Sequence, residues 1–404
     1  MSTQDKKMHV SRRGFLMSAA AGAAAAGLTR NALADDEVIP GFEHVESTVQ
    51  EGAVWEPISD RKIRVGIVGY GLCRFGASFY FQDHPNVDIV AVSDLIPDRC
   101  AALAKACRCE KTYPSLEELI KDDDIEAVFI ATDAPAHAWH SIMTLRHGKH
   151  VACAVPAVFG SLEEADQLYE AVKASGLKYM MFETSTYHNE NYAMRKIYQA
   201  GGFGEMVYAE GEYYHYMPTP LDSFRGWRVG LPPQWYPTHS NAYHTSVTGG
   251  SFTEVSCLGM PSIVPHLRPE NNPYGNGFGT EIALFRASEG GMARMAVSWD
   301  TPGHHGEMGR VRGEQGSMNG MDFQGETDIS GIAIAKPPLP PGVDGGGHGG
   351  SHGYLCEEFV SALLEDRDPS VNIACALNMT VSGVRAHESA LKGGEWLKIP
   401  QYKM

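Results

Sequence analysis

The sequence predicts an α/β protein of two domains, the first wound on a parallel sheet, and three observations predict it. Residues 62–68, "KIRVGIV", form a short apolar run rich in β-branched side chains, as a strand buried on both faces requires. That run passes directly into Gly69-Tyr70-Gly71, and Gly76 follows in what reads as the opening of a helix. A second strand, "VDIVAVSD", ends in Asp94, 23 residues beyond Gly71. Strand, glycine turn, helix and acid at this spacing form a βαβ unit that binds a dinucleotide. The glycines let the backbone approach a pyrophosphate, and the carboxylate accepts hydrogen bonds from the ribose hydroxyls.

From the N-terminus, Ser11-Arg12-Arg13-Gly14-Phe15-Leu16-Met17, an Ala/Gly-rich run to Leu28 and Ala32-Leu33-Ala34 read as a twin-arginine export signal with its cleavage site. The apolar run, roughly 15 residues, is shorter than the ~20 a membrane helix needs, and no later run reaches that length. The mature chain from Asp35 is therefore expected to be exported to the periplasm, without a membrane partner. Residues 35–60, polar with a single Trp55, read as an arm that packs on a neighbouring subunit of a homo-oligomer. The formal charge is −16; removing residues 1–34 takes away five basic side chains and one acid, leaving −20. So acidic a surface argues against nucleic acid as partner. The roughly 370 remaining residues exceed what one core serves, and divide into a cofactor domain over 61–180 and a substrate domain over 181–404.

Within the first domain, Arg74 stands three residues past Gly71, where the fingerprint has glycine. Asp94 would repel a 2′-phosphate, which favours NAD over NADP. A third strand, "IEAVFIATDAP", ends at Thr132-Asp133, with His137 just beyond. Strand ends on this edge line the nucleotide crevice; His137 either joins that lining or caps its helix toward solvent. The eight cysteines show no C-x-x-C or zinc spacing and read as small buried hydrophobes, with one disulfide open to an oxidising compartment. His304-His305 and His348 to His352 sit among glycines without carboxylate or cysteine partners at ligand spacing. They read as loop histidines bonded to sugar or backbone, and no metal is expected. "YYHY", Tyr213 to Tyr216, alternates along a strand, one face toward the core and the other a subunit contact or sugar platform. The Gly/Pro-rich stretch from Lys336 to Gly350 reads as a long loop that lids the site, since "HGGSH" follows at once.

"VGIVGYG", "VSD", "IATDAPAHAWHSIMTLRHGKHV" and "FVSALLEDRDPSVNIACALNMTVSGVRAHESALKGG" together resemble the Gfo/Idh/MocA family, from residue 61 to the end. That resemblance implies an N-terminal Rossmann domain and a C-terminal α/β domain built on an open, mainly antiparallel sheet that carries the sugar site. Usual members end the strand after "GKHV" in Glu-Lys-Pro, the lysine taking part in hydride transfer at a sugar hydroxyl. The aligned residues here are Ala154-Val155-Pro156, so lysine-assisted oxidation is absent. The NAD-dependent glycosidases of the α-N-acetylgalactosaminidase type share Val-Pro-Ala at this position. They are also resembled by Met180-Met181-Phe182-Glu183 with Tyr187, by Gly204 to Gly211, and by Trp235-Tyr236-Pro237-Thr238-His239. The likeness then frays at Ser240-Asn241-Ala242-Tyr243, where that group has Gly-Leu-Gly-Pro beside the sugar. The Asp-x-x-x-His motif of ordinary dehydrogenases reads Trp235-x-x-x-His239, without its Asp.

The resemblance implies NAD held by Gly69, Gly71, Leu72, Asp94, Thr132, His137, Val155 and Pro156. It makes Tyr187 the base, with Tyr236 and His239 near the sugar hydroxyls and Glu183 as orienting partner. It implies glycoside hydrolysis by transient oxidation at C3 and elimination across C1 and C2. A sugar or polyol dehydrogenase with a base other than lysine, and a non-catalytic sugar-binding relative, are the competing readings.

Overall fold

The computed structural model describes residues 43–45 and 47–404. The twin-arginine signature, the cleavage site and the first part of the 35–60 arm lie outside the described residues.

The first sheet has six strands: β1 (Ile63–Val68), β2 (Val87–Ser93), β3 (Thr112–Tyr113), β4 (Ala127–Ile130), β5 (His150–Cys153) and β6 (Tyr179–Met181). They pair in parallel in the order β3-β2-β1-β4-β5-β6. β4 and β6 are buried along their whole length, as near-continuous apolar strands between helical layers must be. Local sequence sets the helix ends: Ser161 caps Leu162–Ser175 by accepting from the Glu164 amide at 3.1 Å, and Gly176, at φ 66°, closes it. Between β1 and β4 the strand order reverses, and there a doubly wound sheet opens a crevice at the carboxyl ends of its strands.

The second sheet has eight strands: β7 (Met206–Tyr214), β8 (Phe252–Pro261), β9 (Phe278–Ala287), β10 (Met292–Ser298), β11 (Gly306–Gly313), β12 (Gly316–Asn319), β13 (Asp322–Gly325) and β14 (Leu397–Lys398). Their order is β13-β12-β11-β7-β10-β9-β8-β14; β7 and β10 pair in parallel and the other neighbours antiparallel. The helix Thr238–Thr248 lies against β7 and is buried from Thr238 to Val247. A side chain at Gly211 would meet the Ser240 carbonyl oxygen at 2.0 Å, so glycine in the strand lets helix and sheet approach to backbone distance. The helix Ile373–Leu391 packs on β6 of the first sheet and β8 of the second, tying the two together.

The described part of the arm runs along its own chain. The Gln50 amide donates to the Lys336 carbonyl and the Lys336 amide to the Thr48 carbonyl, both at 2.9 Å; the Trp55 indole donates to Glu357 at 3.2 Å. The arm also bonds elsewhere on the chain, the Thr48 amide donating to Asn189 at 3.2 Å and the Ser59 carbonyl accepting from Asn86. All eight cysteines are free thiols. No helix among the described residues is long and apolar enough to cross a membrane.

Candidate active site

About 1080 Å³ of space, part of it open solvent, lies in the crevice at the ends of β1, β2 and β4. Its floor is the turn after β1. Gly69 has φ +103°, and a side chain there would strike the Ala131 carbonyl oxygen at 2.2 Å. A side chain at Gly76 would come within 2.4 Å of the Gly69 carbonyl oxygen, so Gly76 supplies the close helix–strand packing that the fingerprint's third glycine normally gives. Arg74, at φ 52°, is the residue that turns the chain into the short helix Phe75–Ser78. Around Gly71 no atom lies within 4 Å of where a side chain would begin, which leaves backbone open for a pyrophosphate. Asp94 accepts from the Tyr70 amide at 2.7 Å on one oxygen and the Ile96 amide at 2.8 Å on the other. These bonds hold the carboxylate rigid at the end of β2 while each oxygen keeps a lone pair for a ribose hydroxyl. Open glycine backbone, fixed acid and switch-point crevice together fit NAD.

Gly69, Gly71, Leu72, Asp94, Thr132, His137 and Val155 all line this crevice. Pro156 does not; its carbonyl lies 2.9 Å from His137 Nδ1, while His137 Nε2 lies 3.2 Å from the Thr132 carbonyl. His137 is neither a cap nor solvent-facing. It is a buried tie between the ends of β4 and β5. Burial pushes its pKa down, but Cys153 and the two carbonyls outweigh it and the net direction is up.

Past Val155 and Tyr236, which line both spaces, the crevice continues into a polar compartment. His239, Tyr213, His215, Arg228 and His348 also face it. His239 Nδ1 lies 2.8 Å from Glu183 Oε1 and 3.5 Å from Glu307 Oε1, which leaves Nε2 for the compartment. Burial pushes this imidazole down, but Glu183 and Glu307 carry it up to about 9. The carboxylate missing at Trp235 is therefore restored from another element: Glu183, fully buried at the end of β6, fixes the histidine. Trp235 itself packs on Phe159 and Tyr274. Opposite, the Tyr213 hydroxyl lies 3.1 Å from His215 Nδ1. Burial, then Arg228, push His215 down to about 4, so it is a neutral acceptor at pH 7. His348 is likewise held well below its ordinary value by burial and the surrounding histidines.

The structure places Tyr187 outside both spaces. Its ring stacks between Tyr354 and Tyr192 under Arg195, and its hydroxyl meets Ser370 at 3.4 Å. Burial raises its pKa, as it does that of Tyr213, so position and not acidity separates the two tyrosines. Ser240 to Tyr243 do not line the compartment either: they sit inside the helix Thr238–Thr248, where Asn241 donates to the Met379 carbonyl at 2.8 Å. The 336–352 segment carries His348 into the compartment wall. Tyr213 and His215 were visible in the sequence as one face of "YYHY"; Arg228 and Glu307 carried no local signal.

Residues 63–183 match the model of an oxidoreductase family with an NAD-binding Rossmann fold, Gfo/Idh/MocA. Glycosyl hydrolase family 109 protein 1 of Bacteroides thetaiotaomicron is 33% identical over 162 residues, 38% of this chain and 34% of that protein. The match thus spans about a third of that relative's length. A glycosyl hydrolase family 109 protein of Solibacter usitatus is 23% identical over 386 residues, covering 84% of this chain and 88% of its own. Among solved structures, levoglucosan dehydrogenase in complex with NADH is similar with a TM-score of 0.69 at 18% identity, covering 85% of this chain and all of that one. At that identity the likeness is one of fold.

Proposed function

We propose that this chain, whose residues 63–183 belong to the Gfo/Idh/MocA oxidoreductase family, is an exported NAD-dependent glycoside hydrolase that works by transient oxidation at C3 of the sugar and elimination across C1 and C2. The observation that carries the reading is the presence of two separate proton-handling pairs in one compartment, Glu183–His239 and Tyr213–His215. A dehydrogenase needs one such group, at the hydroxyl it oxidises; an elimination needs a second, at the neighbouring carbon. The glycosyl hydrolase names of relatives matched over most of the chain support the same choice.

The Gly69–Gly71 turn, Asp94, Thr132 and Val155 would hold NAD, which would supply a reversible hydride acceptor. His239, oriented through Nδ1 by Glu183, takes the C3 hydroxyl proton at Nε2 in its neutral form as C3 is oxidised and gives it back when C3 is reduced; the pKa that Glu183 and Glu307 carry up to about 9 makes it a strong base. A carbonyl at C3 acidifies the C2 hydrogen. Tyr213 takes that proton as its own passes to His215, the C1–oxygen bond breaks, and the aglycone leaves as an alcohol after protonation. Water adds at C1 and the proton returns to C2, so the sum is glycoside plus water giving sugar plus alcohol. Val155, unlike a lysine, adds no cation at this position of the crevice. Export rests on the twin-arginine sequence, and a cofactor regenerated each cycle suits a compartment where free NAD is scarce.

The restored carboxylate–histidine pair also favours a second reading, a sugar dehydrogenase with His239 at the oxidised hydroxyl. Stoichiometry separates the two. Chromogenic glycosides should be cleaved with no net NADH formed; one NADH per sugar consumed, without aglycone release, would establish the dehydrogenase instead.

A further inference from the structure

The sugar compartment borders two other spaces, which share no lining residue with each other. Toward the cofactor it meets the crevice at Val155, Tyr236 and Arg228. Away from the cofactor, Tyr213, His215 and His348 are walls in common with an outer hollow that holds about 560 Å³ of space, part of it open solvent. Three separate stretches of chain complete this hollow: Glu43 and Val45 of the arm, His305 to Glu307 at the start of β11, and Gly349 of the 336–352 loop. No atom lies within 4 Å of where a side chain at Gly306 would begin, which leaves that part of the rim clear.

On the hydrolase reading, on which this inference rests, the hollow lies where the leaving group must go. Tyr213, which takes the C2 proton, stands on the wall that compartment and hollow share, so C1, the next carbon, lies at that boundary. A dinucleotide in the crevice takes up the other side, and the substituent on C1 must extend away from it. We propose that the hollow is the aglycone subsite and that the aglycone is a neutral sugar, which makes the substrate a disaccharide or a longer oligosaccharide.

The walls select that class. The His305 imidazole, the Tyr213 phenol and the carboxylates of Glu43 and Glu307 present donors and acceptors, and sugar hydroxyls, each both donor and acceptor, can satisfy them. An alkyl or aryl aglycone would cover the same groups without bonding them, and a site built for hydrogen bonds rejects a ligand that leaves its polar groups unpaired. Val45 is the one aliphatic side chain among the lining residues. An anionic aglycone would meet Glu43 and Glu307, and like charges repel; the formal charge of −16 over the chain adds to that repulsion. His305 Nε2 and Glu43 Oε1 lie 3.8 Å apart, and the two side chains are 44% and 54% exposed, which puts this pair at the mouth, where a second sugar ring passes.

The test uses the NAD-loaded full chain and pairs of substrates that share one non-reducing sugar, a methyl glycoside and a disaccharide, taken in turn from glucosides, galactosides and their N-acetylhexosamine counterparts. Both leaving groups are alcohols, so a difference within a pair reports the subsite rather than the bond broken. The disaccharide should have a kcat/KM about 10-fold or more above that of the methyl glycoside, as two or more added hydrogen bonds would give. Val45→Trp, which fills the hollow, and His305→Ala, which removes a polar group at its mouth, should each lower the disaccharide value about 3- to 10-fold and leave the methyl glycoside within about twofold. Equal values within every pair, or variants that lower both substrates alike, would overturn the subsite while leaving hydrolysis standing. If no glycoside of either kind is cleaved, the hydrolase reading fails instead, and calorimetric titration with the same disaccharides decides the subsite. Weaker disaccharide binding by Val45→Trp, with monosaccharide binding unchanged, would support it; equal binding by variant and parent chain, or none by either, would overturn it.

Discussion

A tyrosine hydroxyl can act as a base only where its oxygen reaches the sugar, and on that ground Tyr213 replaces Tyr187. General base contributions are about 10²–10⁴-fold, so Tyr213→Phe should lose turnover on that scale while NAD titrates normally. Tyr187→Phe, which deletes one 3.4 Å contact to Ser370, should keep turnover within about threefold of the parent enzyme. Parallel kinetics on the two variants check this, and the reverse order would return the role to Tyr187. Asp94 is a residue of the other kind, fully legible in the sequence because strand, turn and acid are contiguous. Asp94→Ala should weaken NAD binding by about 10- to 100-fold, for the loss of charge-assisted hydrogen bonds worth about 1.5–3 kcal/mol; Asp94→Ser should raise the relative affinity for NADP by removing the repulsion. Fluorescence titration with both nucleotides reads this out. Glu183 was named from resemblance, but its pairing with His239 joins two elements, and Glu307 gave no signal because an isolated glutamate on a strand looks like a solvated one.

At the scale of elements, the 336–352 loop and the arm form one unit around a buried cation. Lys336 is 1% exposed; its ammonium donates to the Tyr187 and Gly350 carbonyls at 2.8 and 3.1 Å and lies 4.4 Å from the Tyr354 ring centre. The Gly350 carbonyl and the left-handed His348, at φ 48°, belong to the same turn, so this lysine anchors the segment that carries His348 to the compartment. Burial lowers its pKa to about 7 from the ordinary 10.5, against a smaller opposing effect of Glu190. Across that interval the unfolded chain holds a proton that the folded chain lacks, so stability should rise with pH from about 7 to 10.5. The penalty is greatest below pH 7 and amounts to a few kcal/mol, at about 1.4 kcal/mol per tenfold change in proton affinity. Urea unfolding at pH 7 and 9.5 should show that gain in the parent chain and a smaller one in Lys336→Met; identical pH dependence in the two would remove Lys336 as its source. The loop itself was legible from its glycines and prolines. Its anchoring was not, because a lysine among apolar partners reads in sequence as a surface residue.

Over the whole molecule, the parallel sheet was readable from apolar runs and turn residues, since each βαβ step is local. The second sheet was reached through resemblance alone: its order β13-β12-β11-β7-β10-β9-β8-β14 joins strands distant in sequence, and half-buried alternation does not say which strand lies beside which. The central claim joins both halves, a cofactor crevice on the first sheet and two proton-handling pairs beside the second. The most direct measurement is hydrolysis of a glycoside in D₂O followed by NMR of the released sugar. Abstraction at C2 by Tyr213 predicts deuterium at C2, because the proton removed beside a C3 carbonyl exchanges with solvent before it is restored. Full protium at C2 with glycoside turnover intact would contradict the elimination.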